Sequence, residues 1–308
     1  MNVLIWGGNG WIGGMLCKEL SERKIDYVIA KSRMENFEEC EEEFRLNNVI
    51  KPITHILCCA GKTHGPGCST IDYLEYKIQE NIESNLLGPM NLGFIARDKH
   101  IHYTYLGTGC IFNYDEKDMN GIISSSEYKV KSYKEEDKPN FFGSGYSIVK
   151  GVTDKLMKRI SCLNLRIRMP ITYEKSGRNF IDKILSYEKI CSIPNSMTVM
   201  DDFIPIIVSM MIAKDSGTYN LVNPGLISHN EILQMYHDII DDEYKWNNMS
   251  LIEQRRILKS DRSNNKLSCD KICSKYKINN IHDSVMEIMV KRSKDNYTFG
   301  NLKRPLNL

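Results

Sequence analysis

Apolar residues in the first half of the chain come in short runs, separated by stretches with a helical period. Asn2–Trp6, Asp26–Ala30, Thr54–Cys59, His102–Leu106 and Leu163–Ile167 read as strands. Between them, Trp11–Ser21, the acidic Phe37–Leu46, a long stretch over Asp72–Asp98 broken near Gly88-Pro89, and Tyr146–Ile160 read as helices. Strand–helix alternation at this spacing predicts a parallel sheet with helices on both faces. Right-handed crossovers make it a doubly wound, Rossmann-type α/β fold. After Met169-Pro170 the pattern loosens, with loops around Pro194, Pro205 and Pro224, and no Gly/Ser/Pro-rich linker intervenes. The expectation is a Rossmann domain over residues 1–169 and a smaller C-terminal lobe over 170–308, interwoven with the same sheet.

Composition narrows the function classes. With 42% apolar residues in 308, the chain can bury a sizeable core. Lys and Arg number 41 against 39 Asp and Glu, so no field for steering nucleic acid is expected. The ten cysteines are scattered without a C-x-x-C pair, which predicts free thiols in a reducing, cytoplasmic setting and no metal site. The apolar run at the start stops at Gly7, and no stretch is long enough to span a bilayer, so neither a signal peptide nor a membrane role is expected.

Candidate chemistry begins at Gly7-Gly8-Asn9-Gly10-Trp11-Ile12-Gly13, between the first strand and the first helix. Glycines there permit a tight turn and close approach of backbone to a pyrophosphate, and the helix N-terminus faces the phosphate charge. Gly7, Gly10, Trp11, Ile12 and Gly13 are therefore candidate cofactor residues. The second strand ends Ala30-Lys31-Ser32-Arg33, without the carboxylate that binds a ribose 2′-hydroxyl in NAD sites. Lys31 and Arg33 favour a 2′-phosphate, hence NADP(H). Ala60 and Gly61, small residues ending the third strand, would let the backbone lie against the cofactor.

Tyr146 and Lys150 are four apart on a predicted helix and so share a face. A phenol with a reference pKa of about 10 needs a nearby cation to exchange protons near neutrality; Lys150 supplies one and can also hydrogen-bond the nicotinamide ribose, so Tyr146 and Lys150 are cofactor candidates as well. Tyr27/Lys31 and Tyr73/Lys77 share the spacing, but only Tyr146 follows a strand ending in a hydroxyl-bearing turn, Gly107-Thr108-Gly109-Cys110. Thr108 and Tyr146 gripping a carbonyl oxygen, with a hydride arriving at carbon, make a carbonyl-reduction site.

On these motifs the chain resembles the extended short-chain dehydrogenase/reductases, nearest the reductases of 4-keto-6-deoxy sugar nucleotides. Thr108-Gly109-Cys110-Ile111-Phe112, Arg178-Asn179-Phe180-Ile181-x-Lys183, Ile193-Pro194-Asn195-Ser196-Met197 and Asn223-Pro224-Gly225 are similar to the bifunctional UDP-4-keto-6-deoxyglucose 3,5-epimerase/4-reductases. Asn85 matches the family's Asn-x-x-Gly helix, and Arg262 to Leu267 its C-terminal signature. The resemblance implies conversion of UDP-4-keto-6-deoxy-D-glucose to UDP-L-rhamnose, with the C-terminal lobe binding substrate and a separate 4,6-dehydratase supplying it. It implies Cys110 and Lys183 as the epimerisation pair. Their reference pKa values of about 8.5 and 10.4 suit acid–base work on protons made acidic by a C4 ketone, which requires epimerisation before reduction. It also suggests Arg178, Asn179 and Arg262 as substrate contacts, and a homodimer formed through the long central helix and the helix of Tyr146. His64, in the Gly61–Gly67 loop, is either a further candidate for substrate contact or an ordinary polar loop residue. Two other readings remain open: a monofunctional dTDP- or GDP-4-keto-6-deoxy-sugar 4-reductase, and a non-catalytic NADP-binding regulatory subunit.

Overall fold

The computed structural model describes residues 1–124 and 129–302. Six strands form one sheet: β1 (Asn2–Trp6), β2 (Asp26–Ile29), β3 (His55–Cys58), β4 (His102–Thr108), β5 (Leu163–Ile167) and β6 (Gly217–Asn220). They lie in the order β2-β1-β3-β4-β5-β6, and every pairing is parallel. A parallel sheet is buried on both faces, so its central strands can be apolar throughout. Val3, Leu4 and Ile5 of β1 are fully buried, and so are Ile56, Leu57 and Cys58 of β3.

One face packs against α1 (Trp11–Glu22) and the later helix Met200–Ile212; there Leu16 and Leu20 meet Phe203, Ile207 and Met210. The other face packs against α2 (Phe37–Ile50) and α3 (Gly88–Asp98), through Cys40, Phe44, Leu92 and Ile95. Met200–Ile212 and β6 therefore complete the sheet layer from beyond residue 170. The rest of the second half has a core of its own, with Ile181, Ile184, Ile232, Leu233, Val285 and Met289. No helix among the described residues is long and apolar enough to cross a membrane.

The chain leaves β1 for β2 on one side and returns across it to β3. This reversal opens a crevice at the carboxyl ends of β1 and β3, the usual ligand position in such sheets.

The expected break at Gly88-Pro89 is absent. A helical path runs Ile78–Ile82, then a wide π-turn over Glu83–Leu87, then α3, with Pro89 in its first turn. The Gly88 N–H donates to Glu83 O, five residues back. The proline removes the donor that Asn85 O would have received, and the Thr153 hydroxyl supplies a replacement at 2.7 Å.

Candidate active site

The turn after β1 is built from glycines that no other residue could replace. Gly7 has φ +86°, and a Cβ added there would stand 2.6 Å from Ala60 N. One added at Gly13 would stand 2.0 Å from Gly7 O. The turn closes with Gly10 N donating to Gly7 O at 2.9 Å. Gly10 then N-caps α1 without a side-chain cap, and the first turn carries no acid, so the N–H groups around Trp11, Ile12 and Gly13 remain for a ligand.

Beside this turn lies a cleft of ≈ 570 Å³, lined by Gly7, Ala60 and Gly61 and, at the end of β2, by Ser32, Arg33 and Glu35. Lys31 is not among its lining residues; its N–H and that of Ser32 are held by the Glu43 carboxylate at 2.7 and 2.6 Å. At the end of β2 the cation facing the cleft is Arg33, highly exposed and 3.6 Å from Glu35; Lys62 lines the cleft farther along. Glu35 had no signal in the sequence. It lies past the strand end where the acidic position is sought, and Ser84 Oγ donates to it at 3.1 Å.

Thr108, the last residue of β4, and Tyr146, in the first turn of α4 (Gly145–Met157), come together, the threonine hydroxyl near enough to act on the phenol. Ser144 caps α4 and so fixes where Tyr146 emerges. Tyr146 is 7% exposed, and burial pushes its phenol above the usual range, with Cys110 adding to the rise and Thr108 opposing it. The Cys110 N–H donates to Thr108 Oγ1 at 3.1 Å, and Cys110 lies near enough to Tyr146 to raise the phenol's pKa.

Lys150 stands on the cofactor side of the site. Its Nζ donates to Tyr105 Oη at 2.6 Å and lies 3.8 Å from a Cβ placed on Gly61, so it borders the cofactor crevice. Burial pulls the Lys150 ammonium down to about 8, opposed by Cys58 and Asp154. Tyr105, on β4, reads in the sequence only as a strand residue, yet it orients this lysine.

Lys183 lies in the short helix Phe180–Leu185. Burial lowers its pKa, and the nearby Arg178 and Arg262 lower it further. Arg178 packs its guanidinium against both ring nitrogens of His64, whose own pKa falls through burial, Arg178, Lys183 and Lys62. Lys62, Arg178 and Arg262 therefore gather round His64 and Lys183; Lys62 is paired with Glu80, so Arg178 and Lys183 are the cations best placed for a diphosphate.

Two expected contacts turn out to be internal. Asn179 is fully buried: its side chain caps Phe180–Leu185 and donates to Thr172 O and Glu174 O at 2.7 and 2.8 Å. Every polar atom of that side chain is used in building the loop. Arg262 forks onto Asp72 at 2.9 and 3.0 Å and donates to Ser260. Its charge lies near Lys183 but is already matched by a carboxylate.

The turn carrying Cys110 is held from far downstream. Asn265 Nδ2 donates to Gly109 O and Phe112 O at 3.0 and 2.9 Å, Ser263 Oγ donates to Phe112 O, and Tyr114 N donates to Asn264 O. Beneath it lies Arg168, 1% exposed, with Nη1 3.6 Å from Cys110 Sγ. The sequence offered nothing to single this arginine out. The thiols of Cys40 and Cys58 are pushed up to about 11, and that of Cys162 to about 12, each by burial. These three are inert packing groups.

Comparison with known proteins places this geometry. The family model for the RmlD substrate binding domain matches residues 1–237. A crystal structure of a UDP-rhamnose synthase from Acanthamoeba polyphaga mimivirus superposes with a TM-score of 0.87 at 48% identity, covering 94% of this chain and 99% of that one. A bifunctional dTDP-4-dehydrorhamnose 3,5-epimerase/dTDP-4-dehydrorhamnose reductase of Arabidopsis thaliana is 37% identical over 95% of this chain and 94% of its own length. A trifunctional UDP-glucose 4,6-dehydratase/UDP-4-keto-6-deoxy-D-glucose 3,5-epimerase/UDP-4-keto-L-rhamnose-reductase from the same plant is 38% identical over 90% of this chain, which spans 40% of that longer protein.

Proposed function

Because this chain belongs to the RmlD substrate-binding family, we propose that it converts UDP-4-keto-6-deoxy-D-glucose to UDP-L-rhamnose, inverting C3 and C5 and then reducing the C4 ketone with NADPH. The observation carrying this reading is the convergence of a thiol, a phenol and a threonine hydroxyl on one point, Cys110, Tyr146 and Thr108. A simple reductase has no use for the thiol. The likeness to the mimivirus UDP-rhamnose synthase favours uridine as the base.

The glycine turn and the N-terminus of α1 fit a pyrophosphate, and Arg33 fits a 2′-phosphate, so the cofactor is NADP(H). When bound it supplies a hydride to C4. Thr108 and Tyr146 hold the C4 oxygen, and Tyr146 Oη donates the proton that makes it a hydroxyl. Before that step the ketone acidifies C3 and C5. Cys110 removes a proton from one face while Lys183, kept less basic by burial and two arginines, delivers one to the other. Arg178 and His64 face the diphosphate.

A 4,6-dehydratase activity, which the name of the trifunctional plant relative includes, supplies the keto-sugar. Ile148, Val152 and Leu156 form an exposed apolar stripe on α4 at helical spacing, which supports a homodimer through this helix. Ten free thiols support a cytoplasmic location.

The test is incubation of the protein with UDP-4-keto-6-deoxyglucose and NADPH, with the product sugar identified by NMR. UDP-L-rhamnose is expected. A D-configured 6-deoxy sugar would reduce the reading to a 4-reductase. Failure to consume NADPH on UDP-, dTDP- and GDP-linked keto-sugars alike would leave a cofactor-binding regulatory subunit.

A further inference from the structure

Among the described residues three arginines are fully buried: Arg166, Arg168 and Arg292. An arginine cannot release its proton, so each brings a permanent charge into a low-dielectric interior and needs an anion. Arg166 has Asp154 at 2.8 Å, and Arg292 has Asp182 at 2.8 and 3.0 Å. Arg168 has no carboxylate partner among the described residues. Its donors reach Ser263 Oγ at 2.9 Å, Ser263 O at 2.6 Å, Asn195 Oδ1, and Gly109 O at 3.5 Å, all neutral, while its Nε has no partner. The ionisable group in contact with it is Cys110, whose Sγ lies 3.6 Å from Nη1.

The placement of Arg168 is over-determined. The Thr198 hydroxyl accepts from its N–H at 2.9 Å, and its carbonyl accepts from Thr198 N at 2.9 Å. Met169, next along, takes the left-handed φ of +43° that a side chain disfavours. The chain accepts this strain where it turns the guanidinium under the thiol.

We propose that Arg168 is the positioning residue that keeps Cys110 as a thiolate in the resting enzyme, the Arg168–Cys110 contact replacing the carboxylate pairing of the other two buried arginines. This rests on the reading of Cys110 as the epimerisation base. The electron pair on Sγ takes the proton from the sugar carbon, an S–H bond forming as the C–H bond breaks, and the C–H pair moves into the C4 carbonyl. Arg168 remains protonated throughout.

The charged and titratable groups facing this pair support the assignment. Tyr146 approaches Cys110 from α4, and Tyr114 and the ring of His229 lie near Arg168; none is a carboxylate. Burial pulls the guanidinium pKa down, and Cys110, then Tyr114, oppose it.

The experiment is peptide-resolved alkylation of Cys110 by iodoacetamide in the full chain, across about pH 6 to 10, for wild type, R168K and R168M. The wild-type half-point should fall at least about one pH unit below the free-thiol value of about 8.5. R168M should titrate at or above that value, and R168K, which keeps a charge but loses the fork, between the two. A wild-type half-point at or above 8.5 would overturn the proposal even if R168M does not fold. So would a folded R168M that titrates like wild type. Failure of the underlying reading looks different: C110A would still exchange the C3 and C5 protons for deuterium from solvent, while the alkylation profile of wild type stayed low.

Discussion

Replacing Asp154 with alanine tests the account of charge burial on which the Arg168 argument stands. Asp154 Oδ1 and Oδ2 accept from Arg166 Nε and Nη2 at 2.9 and 2.8 Å, and Oδ1 also accepts from Asn164 Nδ2 at 2.9 Å. Both side chains are buried, Arg166 completely. The other guanidinium contacts are the Asn220 side chain, the Lys134 and Glu135 carbonyls and the ring of Phe112, all neutral. The alanine variant therefore leaves a full charge with dipoles alone to solvate it. Breaking such a pair costs about 3–5 kcal/mol, whereas replacing the whole pair by apolar residues of similar volume is close to neutral. At about 2 °C per kcal/mol for a chain of this size, D154A should lose roughly 6–10 °C of melting temperature. The double variant D154L/R166M should recover most of it. Urea unfolding followed by circular dichroism at neutral pH, on wild type and both variants, gives the comparison. A loss below about 1 kcal/mol for D154A, or a double variant no more stable than the single one, would refute the reasoning, and with it the claim that a buried arginine in this fold requires an anion.

Other outcomes follow from the same contacts. Y146F should retain NADPH binding by calorimetry while the reduction rate falls about 10²- to 10⁴-fold, because the phenol donates the proton without shaping the cofactor crevice. G13A should abolish NADPH binding in that assay, since its methyl would stand 2.0 Å from Gly7 O, which belongs to the turn itself. T153V should cost about 1–2 kcal/mol in urea unfolding by orphaning the buried Asn85 carbonyl that Pro89 has already deprived of a donor. Burial pulls His55 down to about 4, so it is neutral in the fold and takes up a proton more readily when unfolded. Its contribution is complete above the unfolded value of about 6.5 and is lost as pH falls toward 4, about 2 kcal/mol by pH 5. H55Q should flatten the urea midpoint against pH in that window.

The sheet was readable because its strands and helices carry their periods locally. Residues 2–6 are buried on both faces, and the glycines after them are demanded by contacts within the turn itself. What the sequence hid depends on partners far along the chain. Pro89 signals a break, and only Thr153, from another helix, removes the need for one. Lys31 and Arg33 look equivalent as text, but Glu43 of α2 takes the backbone at Lys31 and leaves Arg33 facing the cleft. Asn179 and Arg262 carry the right chemistry for a ligand; a cap and an aspartate claim them first. Arg168 reads as one more basic residue in a strand-end pattern. Its meaning lies in which groups are missing around it, and no spacing encodes that.

The clamp on the reactive turn also sets a timetable. Everything that shapes the glycine crevice, from Gly7 to Lys150, leaves the ribosome before Ser263, Asn264 and Asn265 exist. Until those three are made, the carbonyls of Gly109 and Phe112 lack their donors, and Arg168 lacks the serine that holds two of its nitrogens. A nascent or truncated chain can thus present a cofactor pocket without a competent thiol. The turn that carries Cys110 thus gains its partners long after the glycine turn has gained its own.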